Sequence, residues 1–171
     1  MSLLFLICIC LASILISYQD FKDRLISVWI LSVFSFLICI ESFYFLPLWQ
    51  VLTSTLINLG LFCIQFLLVF LYYYLRYKNA TKMRESIGAA DIWVFLSLTV
   101  AFCPPNFLVF EMISTTVALI FYLVLRMLML NRMKYFPLAG FLSAWYCISR
   151  IIMYFYSPLW QWNDMWVFEM S

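Results

Sequence analysis

Six long apolar runs separated by short polar connections dominate the sequence. A helix rises about 1.5 Å per residue, so about 20 apolar residues cross the roughly 30 Å hydrocarbon core of a bilayer. Backbone polar groups in lipid must be satisfied within their own segment, so unbroken apolar runs favour helices over alternating barrel strands. We predict an all-α polytopic membrane protein, a single domain built as a bundle of six transmembrane helices at approximately 2–18, 28–46, 51–75, 88–103, 107–130 and 138–156.

Lysine and arginine are distributed unevenly among the connections. Cytoplasmic connections of membrane proteins carry an excess of basic residues. The second connection (47–50), the fourth (104–106) and the segment after residue 156 contain no lysine or arginine. We therefore predict that both termini lie outside and that the odd-numbered connections are cytoplasmic, and these carry Lys22, Arg24, Arg76, Lys78, Lys82, Arg84, Arg132 and Lys134. Orientation accounts for most of the positive charge, so nothing indicates a nucleic-acid partner.

Composition narrows the possible chemistry. The chain has no histidine, and its six cysteines lie inside apolar runs without forming a Cys-x-x-Cys pair. Zinc sites commonly use histidine or paired cysteines, and serine or cysteine nucleophiles usually need a histidine base. We therefore predict no metal site and exclude histidine-dependent proteases. If the chain is an enzyme, its catalytic groups are carboxylates.

Two aspartates are expected at the same membrane interface. Asp20 ends the first run, which leads inward, and Asp91 begins the fourth run, which starts from the inside. Two carboxyls within hydrogen-bond range share one proton, so one can activate water while the other assists the substrate. This arrangement suits aspartic proteolysis. Alternatively, Asp20 is an interfacial charge and Asp91 complements a helix dipole, while Asp23 competes for the role of the first acid.

Three further charges lie inside predicted helices. Glu41, Glu111 and Arg150 are each expected one to two turns from the outer membrane surface. Charges at such depth are costly unless they are paired or hydrated. We interpret the three residues as structural intramembrane charges that fix helix packing. The alternative is a proton or ion pathway through the bundle.

The residues around both aspartates resemble the motifs of the type IV prepilin and preflagellin leader peptidases, which are membrane aspartic proteases. The first motif of that family is an aspartate followed at a short distance by Ile-Pro, and "DFKDRLIS" supplies Asp20, Ile26 and Ser27. The second motif is Gly-x-Gly-Asp-Val-Lys, and "GAADIW" supplies Gly88 and Asp91. The register of the first motif selects Asp20 over Asp23.

A third, weaker match is "YFPLAGFLSA", residues 135–144, which is similar to the stretch that opens the last helix of family members. The order and orientation of the six runs also fit the family. The resemblance implies an aspartic endopeptidase that needs no cofactor. It assigns catalysis to Asp20 and Asp91 and backbone support of the site to Gly88, Ala90 and Ile26.

The implied partners are pilin-like precursor proteins in the cytoplasmic (inner) membrane. Such a precursor has a short basic leader at the cytoplasmic face, then a small residue at the cut, then an apolar helix. Asp23 or Glu85 could attract the basic leader. The chain lacks the paired-cysteine insertion of the longer bacterial members, so the resemblance implies cleavage without methylation.

The chain departs from the family pattern at three positions. Ser27 replaces the usual proline, Ala90 replaces the second glycine, and Trp93 stands where lysine is common. Alanine disfavours positive φ angles that glycine adopts easily. These departures leave an alternative function open, in which a catalytically impaired relative binds pilins or assists the assembly of a secretion apparatus.

Overall fold

Each of the six apolar runs contains an α-helix in the computed structural model, which describes residues 3–23, 25–77, 88–128 and 137–156. These residues form no β-strand, and the predicted all-α polytopic membrane fold is confirmed. All helices except the fourth are long and apolar enough to cross a membrane. The helices are α1 (Leu3–Lys22), α2 (Val28–Phe45), α3 (Leu48–Tyr77), α4 (Ala89–Leu98), α5 (Pro104–Leu128) and α6 (Leu138–Tyr156).

The centre of the bundle is formed by α1, α2, α4 and α6. Helix α1 packs on α2 and α6, and α4 packs between α2 and α6. The buried apolar core comes mainly from these helices and from the turn after α4. Helices α3 and α5 pack on each other at the side, and both keep many large apolar side chains exposed. Such surfaces suit contact with lipid, which is as apolar as the side chains themselves.

Small residues bring α1 and α6 close together. The Ser17 hydroxyl lies 2.8 Å from the Ser13 carbonyl oxygen of its own helix and 2.8 Å from the Gly140 carbonyl oxygen of α6. Ser143 is fully buried in the same contact and donates to the Gly140 carbonyl at 3.0 Å. Small side chains allow helix backbones to approach closely in membranes. The contact fixes the beginning of α6 against the end of α1.

Helix α4 is much shorter than the span predicted at 88–103. It has ten residues, about 15 Å by helical rise, and a buried turn follows it. The Asn58 side chain donates to the carbonyl oxygens of Thr99 and Phe102, both at 2.8 Å, and the Ser42 hydroxyl donates to the Val100 carbonyl at 3.0 Å. Side chains of α2 and α3 thus satisfy backbone groups that the missing helical turns leave open, as non-helical backbone at membrane depth requires.

The boundaries of α3 and α5 also differ from the prediction. Helix α3 begins at Leu48, directly after Pro47, and α5 begins at Pro104. Segments 48–50 and 104–106, which were expected in connections, therefore belong to first helical turns. Proline is favoured in a first turn because its missing N–H is not needed there and its φ is already helical.

A buried ion pair lies at the end of the bundle where α2 finishes. The guanidinium of Arg150 donates to the Glu41 carboxylate, and both side chains are essentially inaccessible. The fully buried Tyr146 ring, one turn before Arg150, makes edge-to-face contacts with Phe34 and Phe102. Helices α2 and α6 are therefore joined by a charge-assisted hydrogen bond and by aromatic packing one turn away.

Candidate active site

Asp20 lies in the last turn of α1, which continues past the apolar run to Lys22. Its side chain is buried, with a relative exposure of 9 %. One carboxylate oxygen, Oδ2, accepts a hydrogen bond of 2.6 Å from the backbone N–H of Gly140. The close contact between α1 and α6 thus turns this carboxylate toward the first turn of α6.

Asp91 lies in the first turn of α4, three residues after the N-cap Gly88. Its Oδ2 accepts a hydrogen bond of 3.0 Å from the Gly88 N–H. Its carboxylate also accepts a hydrogen bond from the backbone N–H of Ala139. First-turn N–H groups have no partner within their own helix, so a carboxylate at this position satisfies them.

The first turn of α6 therefore contacts both aspartates. The N–H groups of the consecutive residues Ala139 and Gly140 engage Asp91 and Asp20, respectively, and the two carboxylates interact electrostatically. The partial positive charge of a helix N-terminus favours anions at this position. We call Asp20 and Asp91 the dyad. Three segments that are far apart in the chain build one site, in which two acids bind to neighbouring backbone N–H groups of the same helix turn.

Gly140 is required by the closeness of this contact. A Cβ atom at Gly140 would lie 2.9 Å from Asp20 Cβ and 3.1 Å from Ser17 Cα. These neighbours belong to the backbone and base of α1, so they cannot move aside like the end of a flexible side chain. Sequence reasoning assigned no role to Ala139 or Gly140. The available signal was the "YFPLAGFLSA" stretch, whose small residues offer no side-chain chemistry of their own.

The predicted supporting residues surround the dyad in different ways. Gly88 caps α4, and Ala90 is a helical residue that packs against the core. Ala90 therefore needs no positive φ, and alanine suits a helix better than glycine. Ile26 also packs on the core. Asp23 is exposed in the turn after α1, and Glu85 lies outside the described residues.

Trp93 occupies the position where the family motif has lysine. Its indole N–H donates to the Ser35 hydroxyl of α2 at 2.9 Å, and the Ser35 and Ser97 hydroxyls lie 2.6 Å apart. Trp93 thus ties α4 to α2 through a hydrogen-bonded pair of serines. This departure has a packing role of its own in the fold.

The three intramembrane charges do not form one group. Glu41 and Arg150 pair with each other, as described above, whereas Glu111 accepts a hydrogen bond from the side chain of Gln65. Glu111 and Asp91 line the same cavity of about 380 Å³, between α3, α4 and α5. Among the described residues, no group of three or more His, Cys, Asp or Glu side chains could hold a metal ion.

Comparison with protein families agrees with this geometry. The model of the type IV leader peptidase family matches residues 5–124, which is well over half of the chain. The chain belongs to the type IV leader peptidase family. No curated protein and no solved structure matches it. The family is one of aspartic peptidases that process pilin-like proteins in membranes, and the matched residues contain both members of the dyad. Helix α6, which supplies the two backbone donors, lies beyond the match.

Proposed function

We propose that the chain is an aspartic endopeptidase that removes basic leader peptides from pilin-like precursors, with Asp20 and Asp91 as its catalytic residues. The observation that carries the proposal is the binding of both carboxylates to consecutive N–H groups of α6. If each acid only capped a helix or complemented its dipole, the two acids could lie at separate helix ends. Two acids gathered at one helix N-terminus can share one proton, which leaves one carboxylate to activate water and one carboxyl to assist the substrate.

The proposed chemistry uses one proton shared by the dyad. Like charges at close range cannot both ionise in a partly buried site, so one carboxyl remains protonated. The ionised carboxylate takes a proton from a water molecule, whose oxygen attacks the peptide carbonyl. The protonated carboxyl donates a hydrogen bond to the carbonyl oxygen and then helps to protonate the leaving amine. The roles belong to the pair, because coupled acids titrate together.

The dyad is proposed to face the cytoplasm, with both chain termini on the other side of the inner membrane. Basic residues support this orientation, since Lys22 and Arg76 lie in the last turns of α1 and α3, which run in the same direction. A precursor helix could lie beside the bundle and present its cytoplasmic end to the dyad. The exposed Asp23, together with Glu85, would attract the basic leader, mainly by speeding encounter.

Substitution of each dyad residue tests the proposal. Asp20→Asn and Asp91→Asn should each abolish the size change of a co-expressed pilin-like precursor, because an amide can neither take nor supply the shared proton. Asp23→Asn is the control for loss of a nearby acid: it should slow encounter with the leader, but the precursor should still be converted fully at longer times. Processing that continues in either dyad variant at equal membrane levels would exclude the proposed mechanism.

A second candidate function is pilin binding or assembly of a secretion apparatus without cleavage. The observation that favours it is Trp93, which replaces the usual lysine of the family motif and bonds to α2 instead. Under this proposal, precursor would co-purify with the native chain at full length. Quantitative conversion of precursor to the shorter form by purified protein would eliminate it.

A further inference from the structure

The cavity between α3, α4 and α5 is continuous with the dyad. Asp91 and Leu138 line it, and Leu138 directly precedes Ala139, whose N–H engages Asp91. The cavity extends along α4 to Phe95, which lies one turn, about 6 Å, further from the dyad end of that helix. A chain with its scissile bond at the dyad would therefore place neighbouring residues in this space.

The walls of the cavity are apolar apart from a few groups. Phe62, Phe66 and Phe95 supply aromatic surface. The Thr115 hydroxyl donates to the Glu111 carbonyl of its own helix at 2.7 Å, so its hydrogen is already used. The polar side chains that remain, besides Asp91, are Gln65 and Glu111. The cavity thus suits an apolar occupant with one polar group.

Glu111 differs from the other deeply placed acid, Glu41, in its neighbours. Its relative exposure is 9 %, and its described side-chain partner is the amide of Gln65. The second oxygen, Oε2, is buried and has no hydrogen-bond partner among the described residues. A buried acceptor without a donor is unfavourable in apolar surroundings, so a ligand that brings a donor gains from it.

We propose that this cavity binds substrate residues on the membrane side of the cut, and that Glu111, held by Gln65, selects a substrate side chain that donates a hydrogen bond. The inference rests on the proposed peptidase function and adds a specificity residue to it. The preferred substrate therefore has a hydroxyl or amide within an otherwise apolar segment. A site built to bond such a group discriminates against an analogue that lacks it.

A series of synthetic peptides tests the selection. Each has a basic leader, a small residue at the cut and a leucine segment, in which one leucine of the first two turns is replaced by threonine or glutamine. The native chain is assayed in lipid nanodiscs. For the substituted peptide whose polar residue reaches Glu111, kcat/KM should exceed that of the all-leucine peptide by about tenfold to a hundredfold, as expected when an unsatisfied buried polar group gains a hydrogen bond. In Glu111→Leu this ratio should fall to about one.

Comparison within each variant keeps the test independent of folding yield. A smaller amount of folded Glu111→Leu lowers both rates equally and leaves their ratio unaffected. The double variant Glu111→Leu/Gln65→Leu removes both polar groups and should also give a ratio near one, or below one. Thr116→Val is the matched control on α5, because Thr116 is exposed and bonds only to its own helix among its described contacts. Its ratio should equal that of the native chain.

Binding to Asp91→Asn separates this inference from the proposed function. If Asp91→Asn binds the threonine peptide more tightly than the all-leucine peptide, and Asp91→Asn/Glu111→Leu does not, the result supports selection by the cavity. This holds even if the native chain cleaves neither peptide. Absence of cleavage would overturn the peptidase proposal alone. Cleavage of all peptides at similar rates overturns the inference and leaves the peptidase intact. Equal affinities for the threonine and all-leucine peptides, unchanged by Glu111→Leu, also overturn the inference. A cavity filled by lipid acyl chains would give this result.

Discussion

Two acidic sites among the described residues of the bundle are held in opposite ways. At the α2 end, Glu41 is paired with the guanidinium of Arg150. At the other end, Asp20 and Asp91 accept hydrogen bonds from backbone N–H groups and interact with each other. A guanidinium neutralises a carboxylate and keeps it ionised, whereas N–H dipoles hold carboxylates without removing their mutual repulsion. Ion pairing suits packing, and backbone support leaves a proton available for chemistry.

The largest expected effect is a loss of cleavage at the dyad with little change in the free energy of unfolding. Asp91→Asn should lower peptide cleavage by about a hundredfold to ten-thousandfold, the contribution typical of general acid–base groups. Its amide oxygen can still accept the hydrogen bond from the Gly88 N–H, so the free energy of unfolding should change little. Cleavage assays and detergent unfolding followed by circular dichroism measure the two quantities. A large loss of stability would assign Asp91 a structural role instead.

The opposite pattern is expected at the ion pair. Glu41→Leu leaves Arg150 buried without its carboxylate and should lower the free energy of unfolding by about 3–5 kcal/mol. In Glu41→Leu/Arg150→Met, both charges are removed, and most of the lost free energy of unfolding should be recovered. Unfolding titrations of the two variants make the comparison. Equal destabilisation in the single and double variants would contradict an ion pair that acts as a unit.

Gly140→Ala tests the support of the dyad. The added methyl group would lie 2.9 Å from Asp20 Cβ, so α1 and α6 must separate. We expect destabilisation of about 1–3 kcal/mol from overpacking. Cleavage should fall further, by about a hundredfold, because a shift of about 1 Å misplaces the acid.

Gly60→Ala is the control for this substitution, measured with the same cleavage and unfolding assays. No atom lies within 4 Å of a Cβ at Gly60, and the residue lies within α3. Alanine there should stabilise the helix by up to about 1 kcal/mol. If Gly140→Ala behaved like Gly60→Ala in both assays, close packing at Gly140 would not matter for the site.

The turn after α4 lies near the ion pair, where Ser42 bonds to the Val100 carbonyl, and substitutions there should give the smallest effect on activity. Asn58→Ala removes the donor to the carbonyl oxygens of Thr99 and Phe102, which should lower the free energy of unfolding by about 1–3 kcal/mol. Thr53→Ala, a change on the same helix at a half-buried residue whose hydroxyl bonds to Trp49 and Gln50 of that helix, should remain within about 0.5 kcal/mol of the native chain. Identical unfolding of both variants would show that the turn does not depend on Asn58.

The apolar pattern predicts the helices and the shared interface of Asp20 and Asp91, because alternation of membrane helices fixes which ends meet. It does not predict the support of the dyad. The donors come from the backbone of Ala139 and Gly140, and a backbone N–H is present at almost every residue. These two N–H groups are available because they lie in the first turn of α6, which packs against the end of α1 and the start of α4.

Glu111 shows a second limit of sequence reasoning. Counting residues from the end of an apolar run places it near the outer surface, far from Asp91. Helix α4 instead ends at Leu98, and the buried turn that follows brings the start of α5 into the bundle. Glu111 therefore reaches the cavity that Asp91 lines. An early helix end stabilised by Asn58, a residue 41 positions before Thr99, leaves no local signal in the hydrophobic pattern.

The contact between Gly140 and Asp20 joins residues 120 positions apart in the chain. During synthesis, both acids enter the membrane well before the amides that hold them. A nascent chain that has not yet inserted α6 therefore carries the acidic pair without the N–H groups of Ala139 and Gly140. The complete set of hydrogen bonds around the acids therefore forms only once α6 has been inserted and has packed against α1.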